Sequence, residues 1–314
     1  MDFSELAKKE EFLVSVKCFT YNQKSYIRDA LDGFCMQETT FPFVCTIVDD
    51  GSTDGEQDVI KEYLRAHFTP DESAAKQAET DDYVLFFAQH KSNSNCYFAV
   101  FFLKYNHYSI KKTKAPYLKP WQEKSKYIAW CEGDDFWTDS MKLQTQVEYM
   151  ESHPDCSLCF HAHRNLYLDG REEEKYRSSV ALEECPVKDM IMVGGAFMAS
   201  ASMLYLKKAT DDYPQWPRRS GIGDGPLMLV LAERGKVAYL NKVMSCYRVS
   251  AKGSWTERKK NNKKLRKEHF KRGIAMWNDY DAWSGYKHHK YVVLKKCKNT
   301  LSYYMKELRS RIKL

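Results

Sequence analysis

Phe43-Val44-Cys45-Thr46-Ile47-Val48-Asp49-Asp50-Gly51-Ser52-Thr53-Asp54 joins an apolar run directly to a string of polar and acidic residues. Phe43–Val48 carries no charge, is rich in β-branched residues and ends abruptly in a polar string. That is the pattern of a strand covered on both faces, with a loop opening at its carboxyl end. Upstream, Phe12–Phe19 reads as a second strand of the same kind. Between them Ile27, Ala30, Leu31, Phe34 and Cys35 recur at helical spacing, entered through Ser25 as an expected N-cap. Downstream, Val59, Ile60, Tyr63 and Leu64 mark another helix and Tyr83–Gln89 a third strand. Strand, helix, strand, helix, strand predicts an α/β fold: a mixed, mainly parallel sheet flanked by helices.

Residues 69–82 are polar and acidic, and read as a surface loop; residues 104–126 form a longer excursion. The strand Tyr127–Cys131 then runs into Glu132-Gly133-Asp134-Asp135-Phe136-Trp137. A helix bearing Leu143, Val147 and Met150 stops near Pro154, and Ser157–His161 reads as another strand. Met190–Leu206 is uncharged but broken by glycine and serine, as expected of a buried segment lining a site. Pro226–Arg234 reads as a helix closed by Gly235, Val237–Leu240 and Val243–Arg248 as strands, and Thr256 onward as basic helices.

A chain of 314 residues with 43% hydrophobic and 29% charged content is that of an ordinary folded protein, long enough for a substantial core. No apolar stretch follows a basic N-terminus, and the longest apolar runs are too short to span a bilayer. Ten cysteines without regular spacing suit a reducing compartment, so a cytoplasmic location is expected. The net charge of +7 conceals a division. Residues 256–314 hold 18 Lys+Arg against 5 Asp+Glu, a net of +13, which leaves −6 for residues 1–255. We therefore expect a main domain over 1–255 and a basic helical C-terminal extension over 256–314. The extension suits an anionic partner: a membrane surface, a pyrophosphate-linked acceptor or nucleic acid. A plain solvated helical face fits it equally well.

In an open parallel sheet, ligands sit at the carboxyl ends of the strands. Asp49-Asp50 and Asp134-Asp135 both fall at such ends. Carboxylate pairs converging on one edge repel unless a cation or hydrogen-bond donors stand between them. A hard divalent ion shared with substrate phosphates answers that need. Asp54 and Asp139 read instead as caps of the turns they precede.

At these residues the chain resembles family 2 of the inverting glycosyltransferases, with the Rossmann-like GT-A fold. The carriers are Thr20-Tyr21-Asn22, Val48-Asp49-Asp50-Gly51-Ser52-Thr53-Asp54, the run from Tyr127 to Trp137, Gly223-Asp224, Tyr247-Arg248 and Gly253-Ser254-Trp255. They span roughly residues 12–255 in the family's order. The resemblance implies that Asp49 and Asp50 serve the nucleotide, Asp50 at the base edge, with Phe19 and Tyr21 lining the nucleoside pocket. It implies Mn²⁺ or Mg²⁺ held by Asp134 and Asp135, Glu132 on a donor hydroxyl, and Arg248 near the diphosphate. Asp224 takes the position of the general base and Trp255 that of an acceptor-stacking ring. The implied reaction is inverting transfer from a nucleotide-sugar, most simply a UDP-sugar, to a saccharide or lipid-linked saccharide. Surface-polysaccharide synthesis at the inner membrane face is the implied setting.

Three departures stand out. Ser250 replaces a histidine common in relatives, Lys126 replaces a glycine, and 69–126 is longer and more aromatic than usual. Asn93 and Lys91 are expected to reach the donor from that segment. Cys156, Cys159, His161 and His163 read as strand packing rather than zinc ligands, because a second ligand pair is lacking. His288-His289 reads as solvated surface. A nucleotidyltransferase of similar fold is the alternative, although Thr20-Tyr21-Asn22-Gln23-Lys24 lacks the glycines of a triphosphate loop. A non-catalytic nucleotide-sugar-binding relative is another. No aromatic-basic platform points to nucleic acid.

Overall fold

Apolar runs that alternate with amphipathic helices build one large sheet, seen in a computed structural model that describes residues 11–68, 76–177, 184–220, 222–252 and 254–312. Strands β1 (Val14–Thr20), β2 (Phe43–Asp49), β5 (Cys96–Leu103) and β6 (Tyr127–Trp130) form its parallel centre. Across the whole sheet the order is β3-β4-β5-β2-β1-β6-β10-β8-β11-β7, with β9 beside β8. Here β3 is Lys76–Glu79, β4 Tyr83–Gln89, β7 Phe136–Trp137, β8 Cys156–Tyr167, β9 Glu172–Lys175, β10 Leu204–Leu206 and β11 Lys236–Val249. Every residue of β2 is buried, as its uncharged run requires.

Helices cover both faces. On one, α1 (Ile27–Cys35), α2 (Glu56–His67) and α4 (Lys142–Ser152) press Leu31, Phe34, Ile60 and Val147 onto Cys18, Ile47 and Val100. On the other, α3 (Ala115–Gln122) seats Trp121 beside Phe12 and Phe87. Toward β8 and β11 that role passes to α5 (Val187–Val193), α6 (Trp216–Ser220) and α7 (Asp224–Ala232). The basic helices α8 (Trp255–Asn261), α9 (Lys263–Trp283) and α10 (His289–Ile312) follow, and Met276, Trp277, Tyr280 and Val292 bury themselves in the same cluster.

Several local expectations are corrected. Tyr83–Gln89 is a strand, but it runs antiparallel; the third parallel partner is Cys96–Leu103. A short turn joins the two into a hairpin, which forbids a parallel pair. The stretch 69–82 contains β3, and its residues 69–75 lie outside the described part. Ser25 does not cap α1, since Tyr26 stands at that position and Gln23 O accepts from the Tyr26 and Ile27 amides. Helix α7 begins at Asp224, with Pro226 tolerated in its first turn, and ends at Ala232. The two expected strands after it are one, β11, with register shifts around Leu240–Ser245.

Candidate active site

Two loops interlock at the carboxyl edge of β1 and β2. Asn22 N donates to Ser52 Oγ at 2.9 Å, Thr53 N to Asn22 Oδ1 at 2.8 Å, and Lys24 N to Asp54 Oδ2 at 3.0 Å. Asp54 also accepts from Glu56 N at 3.0 Å, and Asp139 from Met141 N at 2.8 Å, so both serve their turns as read. Beneath the loops lies Glu56, which sequence reading missed. It accepts from Thr20 Oγ1, from Gln23 N at 2.8 Å and from Ser52 Oγ at 2.8 Å. Burial outweighs these donors and pushes its carboxyl up to about 7.

That shift predicts a pH dependence of stability. Folded Glu56 holds its proton more tightly than the ordinary value of 4.5, so its contribution is full below about 4.5 and lost as pH rises through about 7. The urea midpoint of the wild type should fall across that window relative to Glu56→Gln. Parallel curves for the two proteins would contradict it.

Asp49 is fully buried; its Oδ1 accepts from Ser52 N at 3.0 Å and Gln57 Nε2 at 2.6 Å, and burial raises its pKa. Asp50 accepts from His107 N at 2.8 Å, Tyr108 N at 3.2 Å and Lys114 Nζ at 2.6 Å. Asp50 therefore carries its own donors, while Asp49 is held through Oδ1 and its buried Oδ2 has no partner. Lys114, also missed, stands 5.1 Å from the Phe19 ring centre. Phe19 is half-buried, Tyr21 is exposed two residues on, and the exposed Tyr108 ring lies 5.9 Å from the same Lys114 Nζ. The turn tolerates only glycine at 51: its φ is +71°, and a Cβ there would lie 2.8 Å from Asn106 N.

The acidic turn is built otherwise. Cys131 N and Gly133 N donate to Lys17 O and Phe19 O at 3.1 Å, so β1 continues to hold the chain beyond β6. Glu132, Asp134 and Asp135 can each bring an oxygen within 4.8 Å of the others. Asp135 is buried; its Oδ1 accepts from Arg248 N at 2.9 Å, while its Oδ2 has no partner. All three pKa values are raised. Burial leads in each case, reinforced for Glu132 by Asp134 and Asp224, and for Asp135 by Asp134. Glu132 reaches about 7. Three crowded oxygen donors, one of them an orphaned buried atom, fit a hard divalent cation.

Gly133 sits where Thr20 and Gln23 close over this turn, and a Cβ would lie 2.7 Å from Thr20 Cβ and 2.6 Å from Gln23 Oε1. Gly133→Ala should cost about 1–3 kcal/mol by overpacking, read by chemical denaturation. Wild-type stability would show that Thr20 and Gln23 give way freely.

Arg248 braces the same turn. Its guanidinium donates to Asp134 O at 2.7 Å, pairs with Asp29 and lies over Tyr26 and Phe136. Asp224, the first residue of α7, accepts from Gly225 N at 2.8 Å; burial raises its pKa, opposed by Lys17 and Lys259. Lys17 is the third residue that sequence reading missed. A lysine inside the apolar run of a central strand was the signal. Its Nζ stands 3.3 Å from the Trp130 ring centre, and burial pulls it down to about 8 against the charges of Glu132 and Asp224.

Glu132, Asp134, Asp224 and Arg248 line one cavity of about 1090 Å³. Gly194–Ser200 forms part of its wall, as expected for the uncharged segment, and Lys259, Trp277 and Lys295 from the basic helices close it. The Trp255 side chain and Gly253 lie outside the described residues. Asn93 and Lys91 do not approach this cavity. They sit at the opposite edge of the sheet, where Asn93 Nδ2 donates to Cys35 O and Gln37 O and Lys91 Nζ to Arg65 O and Ala66 O. Cys156 and Cys159 are buried in β8, whereas His161 and His163 line the cavity. His288 is half-buried against Glu233 at 2.9 Å rather than solvated, whereas His289, paired with Asp281 at 2.7 Å, is exposed as read.

The family model of Glycosyl transferase family 2 matches residues 15–79. Uncharacterized proteins of Mycobacterium tuberculosis and Mycobacterium bovis are each 31% identical over 251 residues, covering 79% of this chain and 63% of theirs. The chain thus spans under two thirds of the length of these relatives. S. aureus TarS 1-349 in complex with UDP superposes with a TM-score of 0.51 at 15% identity, over 84% of this chain and 64% of that one. A mannosyltransferase from Pyrobaculum calidifontis in complex with GDP-Man and Mn²⁺ gives 0.51 at 12%, over 88% and 69%. At such identities the likeness is one of fold: this chain has the GT-A architecture.

Proposed function

We propose that this protein is a metal-dependent, inverting family 2 glycosyltransferase whose donor is a UDP-sugar and whose acceptor is a saccharide or lipid-linked saccharide. The observation that carries the reading is the Glu132, Asp134, Asp135 cluster: Glu132 and Asp134 line the same cavity as Asp224, and Asp135, buried behind them, keeps an orphaned oxygen. Asp134 and Asp135 would hold Mn²⁺ or Mg²⁺, which neutralises a diphosphate and improves it as a leaving group. Complexes of fold neighbours with UDP, UDP-GlcNAc and GDP-Man favour a nucleotide-sugar donor.

Residues of this chain would do the rest. Phe19, Tyr21, Asp49 and Asp50 form the nucleoside end, with Lys114 fixing the Asp50 carboxylate. Glu132 orients a donor hydroxyl, and Arg248 stiffens the turn and faces the diphosphate. Asp224 takes the proton from the acceptor hydroxyl as that oxygen attacks the anomeric carbon and the bond to the diphosphate breaks. Its raised pKa makes it a stronger base than an exposed aspartate. Lys17, between Glu132 and Asp224 in charge, keeps the two carboxylates from defeating each other. Residues 1–255 would be the catalytic unit, with 256–314 and Trp255 on the acceptor side. Surface-glycan assembly on the cytoplasmic face of the membrane is the setting this reading implies.

Incubation with UDP- and GDP-sugars and a panel of saccharide acceptors, reading released nucleoside diphosphate, tests the activity. NMR of the product should show an anomeric configuration opposite to the donor's. Retained configuration would contradict direct displacement, and no release from any donor would contradict the activity.

A further inference from the structure

The outer face of α10 carries a ridge that the site does not use. Leu294, Leu301, Tyr304 and Leu308 are 55%, 64%, 62% and 58% exposed, and Met305 stands beside them. On a helical wheel these positions share an arc of about 100°, and from first to last they run about 21 Å. The opposite face is fixed: Val292 and Lys295 are buried, Tyr303 stacks on Phe270 at 4.2 Å, and Glu307 faces Lys263 and Arg266. An anchored helix is thus presenting a continuous apolar strip to solvent.

Charge decides what covers it. Lys290 lies on the midline of the strip, Lys298 and Arg309 on one flank, and Lys306 farther round; all are exposed. The helix's one acid among the described residues, Glu307, is turned inward. A second copy docked ridge to ridge would set these cations against their own counterparts with no acid to answer them. Lys264, Lys267, Lys271 and Arg272 of α9 are exposed as well, within the segment of net +13. No helix among the described residues is long and apolar enough to cross a membrane. An apolar strip flanked by cations, on a helix too polar to insert, suits an interface of acyl chains below and anionic headgroups around.

We infer that the outer face of α10 docks on an anionic lipid surface, with Leu294, Leu301, Tyr304, Met305 and Leu308 entering the headgroup boundary. This goes beyond the proposed transfer reaction and stands or falls apart from it. Lys295 and Asn299 of the same helix line the cavity, so docking would bring the cavity beside the lipid.

Flotation of the full chain with phosphatidylcholine vesicles, with and without phosphatidylglycerol, tests the inference. Wild type should float with the anionic vesicles, stay behind with the neutral ones and be released by high salt. Leu301→Asp/Leu308→Asp and Lys298→Glu/Arg309→Glu should each bind about tenfold or more weakly. Both pairs are on the surface, so circular dichroism should match wild type. Wild type that ignores anionic vesicles, or variants that bind as it does, would overturn the inference. A wild-type dimer in sedimentation that Leu301→Asp/Leu308→Asp dissociates, without vesicle binding, would overturn it in favour of a second copy.

Discussion

Asp135→Asn is expected to abolish metal-dependent binding of UDP while leaving the metal-free protein as stable as wild type or more so. The amide keeps an oxygen for Arg248 N, which donates to Asp135 at 2.9 Å. It removes the charge from a buried group crowded by Asp134 and Glu132. Relief of that repulsion raises the metal-free melting temperature or leaves it unchanged. Loss of a ligand should weaken metal-dependent UDP affinity by ~100-fold or more, since even outer-shell partners cost 10–100-fold. The two readouts move in opposite directions, which separates a metal ligand from a residue that merely holds the turn. A variant that melts earlier without metal, yet still needs Mn²⁺ to bind UDP, would make Asp135 structural.

Asp224→Asn should have the second large effect, and on turnover rather than binding. The amide can still accept from Gly225 N, so the start of α7 is preserved. Without a base the acceptor hydroxyl must lose its proton unaided, and kcat should fall by roughly 10²–10⁴. UDP affinity should stay close to wild type, because nothing at the nucleoside end is disturbed. A variant that retains full kcat would remove Asp224 from the reaction, and one that loses UDP binding would place it with the donor instead.

Much of this was legible because the chemistry repeats in short, local patterns. An uncharged run ending in Asp49-Asp50 can hardly be anything but a covered strand with a loop at its carboxyl end, and β2 is that strand. The acidic turn was legible for the same reason, being glycine-preceded and flanked by aromatics where β6 ends. What resisted reading depended on partners distant in sequence. The direction of Tyr83–Gln89 is set by the tight turn to Cys96–Leu103, an apolar run whose pairing with Phe43–Asp49 no local period reveals. Lys114 reaches Asp50 from 64 residues away. Lys17 looked like one charge in a strand, and its meaning lies in the Trp130 ring and the carboxylates around it. Asn93 and Lys91 failed as donor contacts because the hairpin turns at the wrong end of the sheet, which a register, not a motif, determines. The basic extension was legible in charge alone; that one side of α10 is buried and the other apolar and open came only with packing.

The proposed nucleotide site is completed by a divalent ion at Asp134 and Asp135. Isothermal titration of the wild-type protein with UDP, in the presence and absence of Mn²⁺, is the decisive measurement. Tight binding with Mn²⁺ that largely disappears when the metal is chelated is the predicted result. UDP binding of equal strength with and without the metal would contradict the claim, leaving the crowded carboxylates of the acidic turn without their cation.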